Sequence, residues 1–131
     1  MNALDTNILI RYLTQDDPFQ SRKAIELIER RFTPQRPGFI SLITMAETVW
    51  VLGSVYELSG REIADTVERL LQADTLAVQN EQQVFTAMVA MRQGAGAFAD
   101  ALIGALGAWA GCDSTLTFDK KALRLAGFEL L

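Results

Sequence analysis

The sequence contains no histidine, and this absence excludes several classes of enzyme. Serine–histidine and cysteine–histidine catalysis, histidine acid–base pairs and histidine-ligated zinc all need a residue that the chain lacks. An enzyme built from this sequence must therefore use carboxylates, hydroxyl groups, cations or a bound metal.

Cysteine is almost as scarce, because Cys112 is the only one and no internal disulfide can form. A chain without disulfides suits a reducing cytoplasm. Cys112 lies between a helical pattern and a strand pattern, and no histidine is present to activate its thiol. We therefore expect a small buried hydrophobic side chain rather than a nucleophile.

Long hydrophobic runs are missing as well. The N-terminus has no basic region followed by an apolar run, so we predict no signal peptide. The most apolar stretch, 93–112, contains Asp100, and the uncharged part after Asp100 is only 12 residues long. A membrane span needs about 20 residues. We expect a buried helix here, and a cytoplasmic protein with no membrane segment.

An excess of positive charge is also absent, since the 131 residues carry a net charge of −4. This argues against a nucleic-acid binder that relies on overall charge, but it leaves room for a local basic patch. The length corresponds to one domain that can bury a substantial core.

Short apolar segments alternate with helical patterns along the chain. Strands are predicted to end near Leu4 and to cover 38–42, 75–78, 114–118 and 128–131. This alternation predicts an α/β fold with a mostly parallel sheet and helices on both faces. Ligand sites in such folds form at the carboxyl ends of the strands.

Several helix ends can be predicted from capping residues. Asp17 and Pro18 are start signals, Ser59 and Glu62 form a capping-box pattern, and Asn80 is expected to cap the next helix. Thr44 is expected to begin a helix that reaches about Leu52. That helix is apolar nearly all round, which predicts full burial or a protein interface.

Four carboxylates stand at strand exits or early in the following helices, each beside apolar sequence: Asp5, Glu47, Asp100 and Asp119. Each has a structural explanation. Asp5 and Asp119 fit helix N-caps, Glu47 fits a capping box with Thr44, and Asp100 suits the positive end of its helix dipole.

Considered together, the four carboxylates suggest a metal site. If they meet, their repulsion must be relieved by protonation or by a cation. With only oxygen ligands on offer, the cation should be Mg²⁺ or Mn²⁺. Such an ion can lower the pKa of a bound water and stabilise a phosphate oxygen, which is what phosphodiester hydrolysis without histidine requires.

Four segments in order resemble the PIN-domain family, and more narrowly the ribonuclease toxins of VapBC-type toxin–antitoxin pairs: ALDTNILIRYL, ITMAETVWVL, FADALIGALGAWAGC and TLTFDKKALRLAGFELL. The resemblance covers residues 2–131. It implies a single PIN domain, 1–131, with a three-layer α/β/α fold and a short, mostly parallel central sheet. It also implies metal-dependent cleavage of RNA, homodimerisation and inhibition by a small antitoxin.

The resemblance also assigns roles to residues. Asp5, Glu47, Asp100 and Asp119 fall on the acidic positions of the family, with Asp5, Asp100 and Asp119 building the metal site. Glu47 then either ligates the metal or orients the attacking water.

Three polar residues match supporting positions of the family. Thr6 and Asn7 match the polar pair that shapes the turn after Asp5. Thr117 matches the hydroxyl before the last aspartate, where it would hold a neighbouring carboxylate. For all three, a structural turn role is the alternative. Relatives often carry a further acid where this chain has Ala97, so a second ion would have fewer ligands.

Several cations are expected around an RNA-binding rim, with Lys120 and Lys121 favoured because they adjoin Asp119. The full set is Arg11, Arg22, Lys23, Arg30, Arg31, Lys120, Lys121 and Arg124. A solvated helix face is the alternative. Tyr12, Phe98 and Trp109 could stack on bases, but core packing is the interpretation we favour.

Other classes fit less well. A phosphoaspartyl phosphatase needs Asp-x-Asp after the first strand, and Asn7 stands in place of the second carboxylate. A receiver domain needs an acceptor aspartate after a central strand, where this chain has Gln79 and Asn80. The remaining alternative is a PIN domain that binds RNA or protein without cleaving. Retention of four acids argues against it, and Ala97 keeps it open.

Overall fold

The computed structural model describes residues 1–131 and confirms the three-layer α/β/α class. The strands are β1 (Asn2–Ala3), β2 (Gly38–Ile40), β3 (Leu76–Val78), β4 (Thr115–Thr117) and β5 (Phe128–Leu130). The helices are α1 (Thr6–Thr14), α2 (Pro18–Glu26), α3 (Leu42–Ser54), α4 (Gly60–Gln72), α5 (Glu81–Arg92) and α6 (Phe98–Trp109). A π-helical turn (Leu27–Arg31) continues α2, and a 3₁₀ helix (Lys120–Arg124) follows β4.

Every strand pairing is parallel, as predicted, but the strands form two sheets. One has the order β1-β2-β3, with Asn2 opposite Gly38 and Gly38 opposite Leu76, and the other joins β4 to β5. The strands are only two or three residues long, and β1 has no ladder of hydrogen bonds to β4. The parallel direction still brings the ends of β1 and β2 to one edge.

A single hydrophobic core is built from the three-stranded sheet and the inner faces of the helices, with Phe128 of β5 packed against its side. Leu9, Ile40, Met45, Leu52 and Met88 are among its fully buried side chains. None of the helices combines the length and the apolar character that a membrane span requires.

Helix α6, the apolar stretch of the sequence, is buried on one face only. Phe98, Ala101 and Leu102 lie in the core, whereas Ile103 is more than half exposed. The helix approaches β5 so closely that a Cβ atom at Gly104 would lie 2.6 Å from Cε1 of Phe128. The prediction of a buried helix is therefore correct for one face.

One expectation about a side-chain environment was wrong, and one of the two alternatives for α3 was excluded. Cys112 is exposed, because it follows the last turn of α6 instead of entering the core. Trp50 is 68% exposed on α3, which excludes full burial of that helix. The capping box of Ser59 and Glu62 is present as predicted, and Asp17 caps α2.

The predicted start of α3 at Thr44 was also wrong. The helix begins at Leu42, and the Ser41 hydroxyl accepts a 3.1 Å hydrogen bond from the Thr44 amide. The predicted capping box of Thr44 and Glu47 does not form, because Ser41 is the N-cap residue and Thr44 already lies inside the helix. Asn80 does stand at the N-cap of α5, but its side chain donates to Gln83 rather than accepting from the helix backbone.

Asp16 ties the end of α1 to the loop after α3. Its carboxylate accepts hydrogen bonds from Tyr56 at 2.6 Å, from Thr14 at 3.0 Å and from Arg11 at 3.3 Å. The Tyr56 and Thr14 hydroxyls, with a smaller contribution from Arg11, hold the pKa of Asp16 below its usual value. The cluster fixes the outer ends of two helices that begin at the candidate site.

Candidate functional site

Asp5 and Glu47 are joined through Thr6. Asp5 caps α1 directly after β1, and its Oδ1 accepts from the Thr6 amide at 2.7 Å. The Thr6 hydroxyl donates to Oε1 of Glu47 at 2.9 Å. This contact exists because β1 and β2 are parallel neighbours, so that α1 and α3 begin at the same sheet edge.

Asp100 and Asp119 line one cavity of about 370 Å³ with the 94–97 loop and the 3₁₀ helix. Asp119 caps the 3₁₀ helix, since its Oδ1 accepts from the Lys121 amide at 2.9 Å. Thr117 Oγ1 accepts from the Asp119 amide at 3.0 Å. Thr117 thus shapes the turn that presents Asp119, which is the structural alternative for this residue, and it forms no hydrogen bond to a carboxylate.

Asp100 is half-buried in the first turn of α6 and has no hydrogen-bond or ion-pair partner in the structure. Ala97 occupies the N-cap of this helix and lines the same cavity, but its side chain cannot cap. The position in the first turn places the Asp100 carboxylate at the favourable, positive end of the helix dipole.

The four carboxylates keep most of their oxygens free. Asp5, Glu47 and Asp119 each use one oxygen in a hydrogen bond, and none of the four forms an ion pair. Helix capping therefore explains part of the role of Asp5 and Asp119. It leaves their second oxygens available to a ligand.

The carboxylates lie as two pairs, Asp5 with Glu47 and Asp100 with Asp119. Helix α3, which carries Glu47, contacts α6, which carries Asp100. No group of three or more acidic side chains is close enough to hold a metal ion. The all-oxygen donor chemistry fits a hard divalent cation, but the two pairs do not converge on one site in this arrangement.

The remaining predicted residues divide between two surfaces. Lys121 and Arg124 line the cavity of Asp100 and Asp119, and Lys120 is exposed nearby on the 3₁₀ helix. Asn7 instead faces a groove between α1 and α2. Arg11 lines that groove as well, and its guanidinium contacts Asp16 at 3.3 Å and Gln20 at 2.9 Å.

The favoured interpretation of Phe98 and Trp109 was core packing rather than base stacking, and it is correct for Phe98 only. Phe98 is 2% exposed and belongs to the core. Trp109 is exposed, but it lies at the C-terminal end of α6, nine residues beyond Asp100, or about 13 Å along the helix. The exposed aromatic residue that lines the groove between α1 and α2 is Phe19. The sequence did not predict it as a binding residue, because no motif or spacing around position 19 distinguishes an exposed phenylalanine from a buried one.

The protein is a three-layer α/β/α domain in which acidic side chains follow the ends of parallel strands. The PIN domain family matches residues 3–128, and the chain belongs to that family. Neither the comparison with curated proteins nor that with solved structures gives a match. PIN domains are in general metal-dependent nucleases, so the family indicates nuclease activity.

Proposed function

We propose that this chain is a Mg²⁺- or Mn²⁺-dependent endoribonuclease and the toxin of a VapBC-type toxin–antitoxin pair. The observation that carries the proposal is the set of free carboxylate oxygens at Asp5, Glu47, Asp100 and Asp119, none of which is paired with a cation. These residues match the acidic positions of the PIN-domain family in the order of the chain.

The residues that would hold the metal are Asp5, Asp100 and Asp119, with Glu47 either as a further ligand or as the group that orients the attacking water. A bound Mg²⁺ or Mn²⁺ supplies Lewis acidity and lowers the pKa of a coordinated water. In this proposal, the Thr6 hydroxyl holds Oε1 of Glu47 and leaves Oε2 free to accept a proton from water.

Cations beside the acidic residues supply the affinity for the substrate. Lys121 and Arg124 line the same cavity as Asp100 and Asp119 and form no ion pair with either. Their charges can hold phosphate oxygens of RNA next to the carboxylates. Lys120, exposed on the same 3₁₀ helix, extends this positive edge.

The proposal includes the partners that the resemblance implies, a second copy of this chain and a small antitoxin. Trp50 on α3 is 68% exposed and Ile43 on the same helix is 74% exposed. The two residues are seven positions apart and so share one face of α3, and apolar side chains that form an exposed patch favour contact with another protein. Sedimentation equilibrium should give twice the mass of the chain, and Trp50→Glu should lower it to that of one chain.

A PIN domain that binds without cleaving is the second candidate function. It is favoured by one observation, namely that no three acidic side chains form a metal-holding group. Ala97 adds to this, because it lines the cavity without contributing a carboxylate. The following experiment separates the two candidates.

The purified chain is incubated with mixed cellular RNA in Mg²⁺, in Mn²⁺ and in EDTA, beside Asp100→Asn and Asp113→Asn. Asp113 is an exposed aspartate outside the site, so its variant controls for the same chemical change. We expect metal-dependent cuts by the parent and by Asp113→Asn, and none by Asp100→Asn. RNA retained without cleavage in every metal would favour the binding-only function.

A further inference from the structure

The positive charge of this acidic protein is concentrated in one segment. Residues 18–36 carry five of the 12 lysines and arginines but only two of the 16 acidic residues. The five cations are Arg22, Lys23, Arg30, Arg31 and Arg36, and none forms an ion pair. Helix α2 and the π-turn after it therefore form a basic surface on a chain of net charge −4.

A groove of about 580 Å³ runs between this segment and α1. One wall comes from α1 and includes Asn7. The other wall is a stripe with four-residue spacing: Phe19, Lys23, Leu27 and Arg31. Lys23 and Arg31 thus place two unpaired cations on a single wall.

The π-turn keeps this stripe aligned. Residues four apart in an α-helix drift around its axis, because a turn holds 3.6 residues. The Phe32 amide donates to the Leu27 carbonyl at 2.9 Å, an i→i+5 bond that encloses more residues per turn. The wider turn offsets the drift and returns Arg31 to the groove, and such π-turns often mark functional sites.

Phe19 adds an aromatic surface to the same wall. Phe19 is 65% exposed, and the Lys23 ammonium lies 4.7 Å from the centroid of its ring. Cations that follow a groove beside an exposed aromatic ring are the features that bind single-stranded nucleic acid. Asn7, on the opposite wall, is two residues beyond Asp5, so the groove opens beside the candidate site.

We propose that the groove between α1 and α2 binds single-stranded RNA, with Lys23 and Arg31 contacting phosphates and Phe19 stacking on a base. The groove favours RNA over an acidic protein segment because it combines unpaired cations with an exposed ring that can stack on a base. The inference rests on the proposed function for its substrate, and it adds a binding track separate from the carboxylates. Arg11 contributes less, because Asp16 already neutralises it.

Binding of a short, fluorescently labelled single-stranded RNA is measured by anisotropy in EDTA over a range of salt concentrations. The double variant Lys23→Gln/Arg31→Gln should reduce the slope of log K against log salt by about 1.4, or about 0.7 for each lost phosphate contact. Arg61→Gln is the matched control, since Arg61 is exposed on α4 and unpaired. It should leave the slope unchanged.

The proposed stacking of Phe19 on a base is tested with two substitutions, each of which keeps a large apolar side chain at this position. Phe19→Leu should weaken RNA binding about tenfold, since stacking on a base is lost. Phe19→Trp keeps an aromatic face and should bind as the parent does. Circular dichroism confirms that these exposed substitutions leave the protein folded.

An unchanged salt slope in the double variant, or no RNA binding by the parent, overturns the proposal. An acidic peptide is titrated in parallel, and loss of its binding with RNA binding intact would assign the groove to an acidic protein segment. If RNA binding depends on the groove but no RNA is cleaved in metal, the groove proposal holds and the nuclease proposal is wrong. If RNA is cleaved but the salt slope of the double variant is unchanged, the nuclease proposal holds and the groove proposal is wrong.

Discussion

Thr6 connects two carboxylates that are far apart in the chain, since its hydroxyl donates to Glu47 across 41 positions. Thr6→Val removes the donor with little change in shape, whereas Thr6→Ser retains it. If Thr6 positions Glu47, Thr6→Val should lower kcat/KM for RNA cleavage about 10- to 100-fold, as loss of a supporting hydrogen bond does in metal sites. The loss should lie in kcat rather than KM.

Thr6→Ser is the control for that prediction and should cleave at close to the parental rate. Glu47→Gln should share the defect of Thr6→Val, and the double variant should be no worse than Glu47→Gln alone. Additive losses in the double variant would mean that Thr6 acts through something other than Glu47.

Asp16 gives a prediction about pH. Its folded pKa is depressed by Tyr56 and Thr14, so its contribution to stability is present above the unfolded pKa, near 3.8. That contribution is lost as the pH falls through the lower, folded pKa. Asp16→Asn should therefore destabilise the protein at pH 6 and have less effect near pH 2. Urea unfolding at both pH values measures this, and an equal effect at both would contradict it.

At the scale of elements, the first turn of α6 is incompletely capped. Ala97 stands at its N-cap and has no side chain that can accept a hydrogen bond. Ala97→Ser should raise the free energy of unfolding by about 1 kcal/mol, the usual value of a serine cap. Chemical denaturation measures the gain, and no gain would indicate that the free amides are satisfied by water.

Ala97→Asp separates capping from metal binding. Aspartate should cap as serine does, but it also adds a carboxylate to the cavity of Asp100 and Asp119. In EDTA, repulsion from Asp100 offsets part of the capping gain. With Mn²⁺ present, only the aspartate variant should bind the metal more tightly than the parent, as measured by calorimetric titration.

At the scale of the whole molecule, metal binding and stability are linked. If the two carboxylate pairs close on Mn²⁺, the folded state alone binds the ion. Stability should rise by about 2.7 kcal/mol when the metal concentration is 100 times its Kd. Asp100→Asn should abolish this gain and cost no stability in EDTA, because it relieves repulsion. A clear loss in EDTA would favour a purely structural role for Asp100.

The local signals of the sequence identified most elements of the fold. Periodicity, capping residues and turn residues act over a few positions, so the alternation of strands and helices was predictable, as were the caps at Asp17 and Ser59. The start of α3 was misplaced because Ser41 and Thr44 are both good N-cap residues. Choosing between them required the position of the preceding strand.

The α/β class, the lack of histidine chemistry and the four isolated carboxylates could be predicted from the order of the amino acids alone. The contact of Thr6 with Glu47, the cavity shared by Asp100 and Asp119, and the basic groove between α1 and α2 could be recognised only in the folded protein. The physical reason is that these contacts depend on how helices pack across parallel strands. That packing is set by the shape of the whole core and not by any short stretch of the chain.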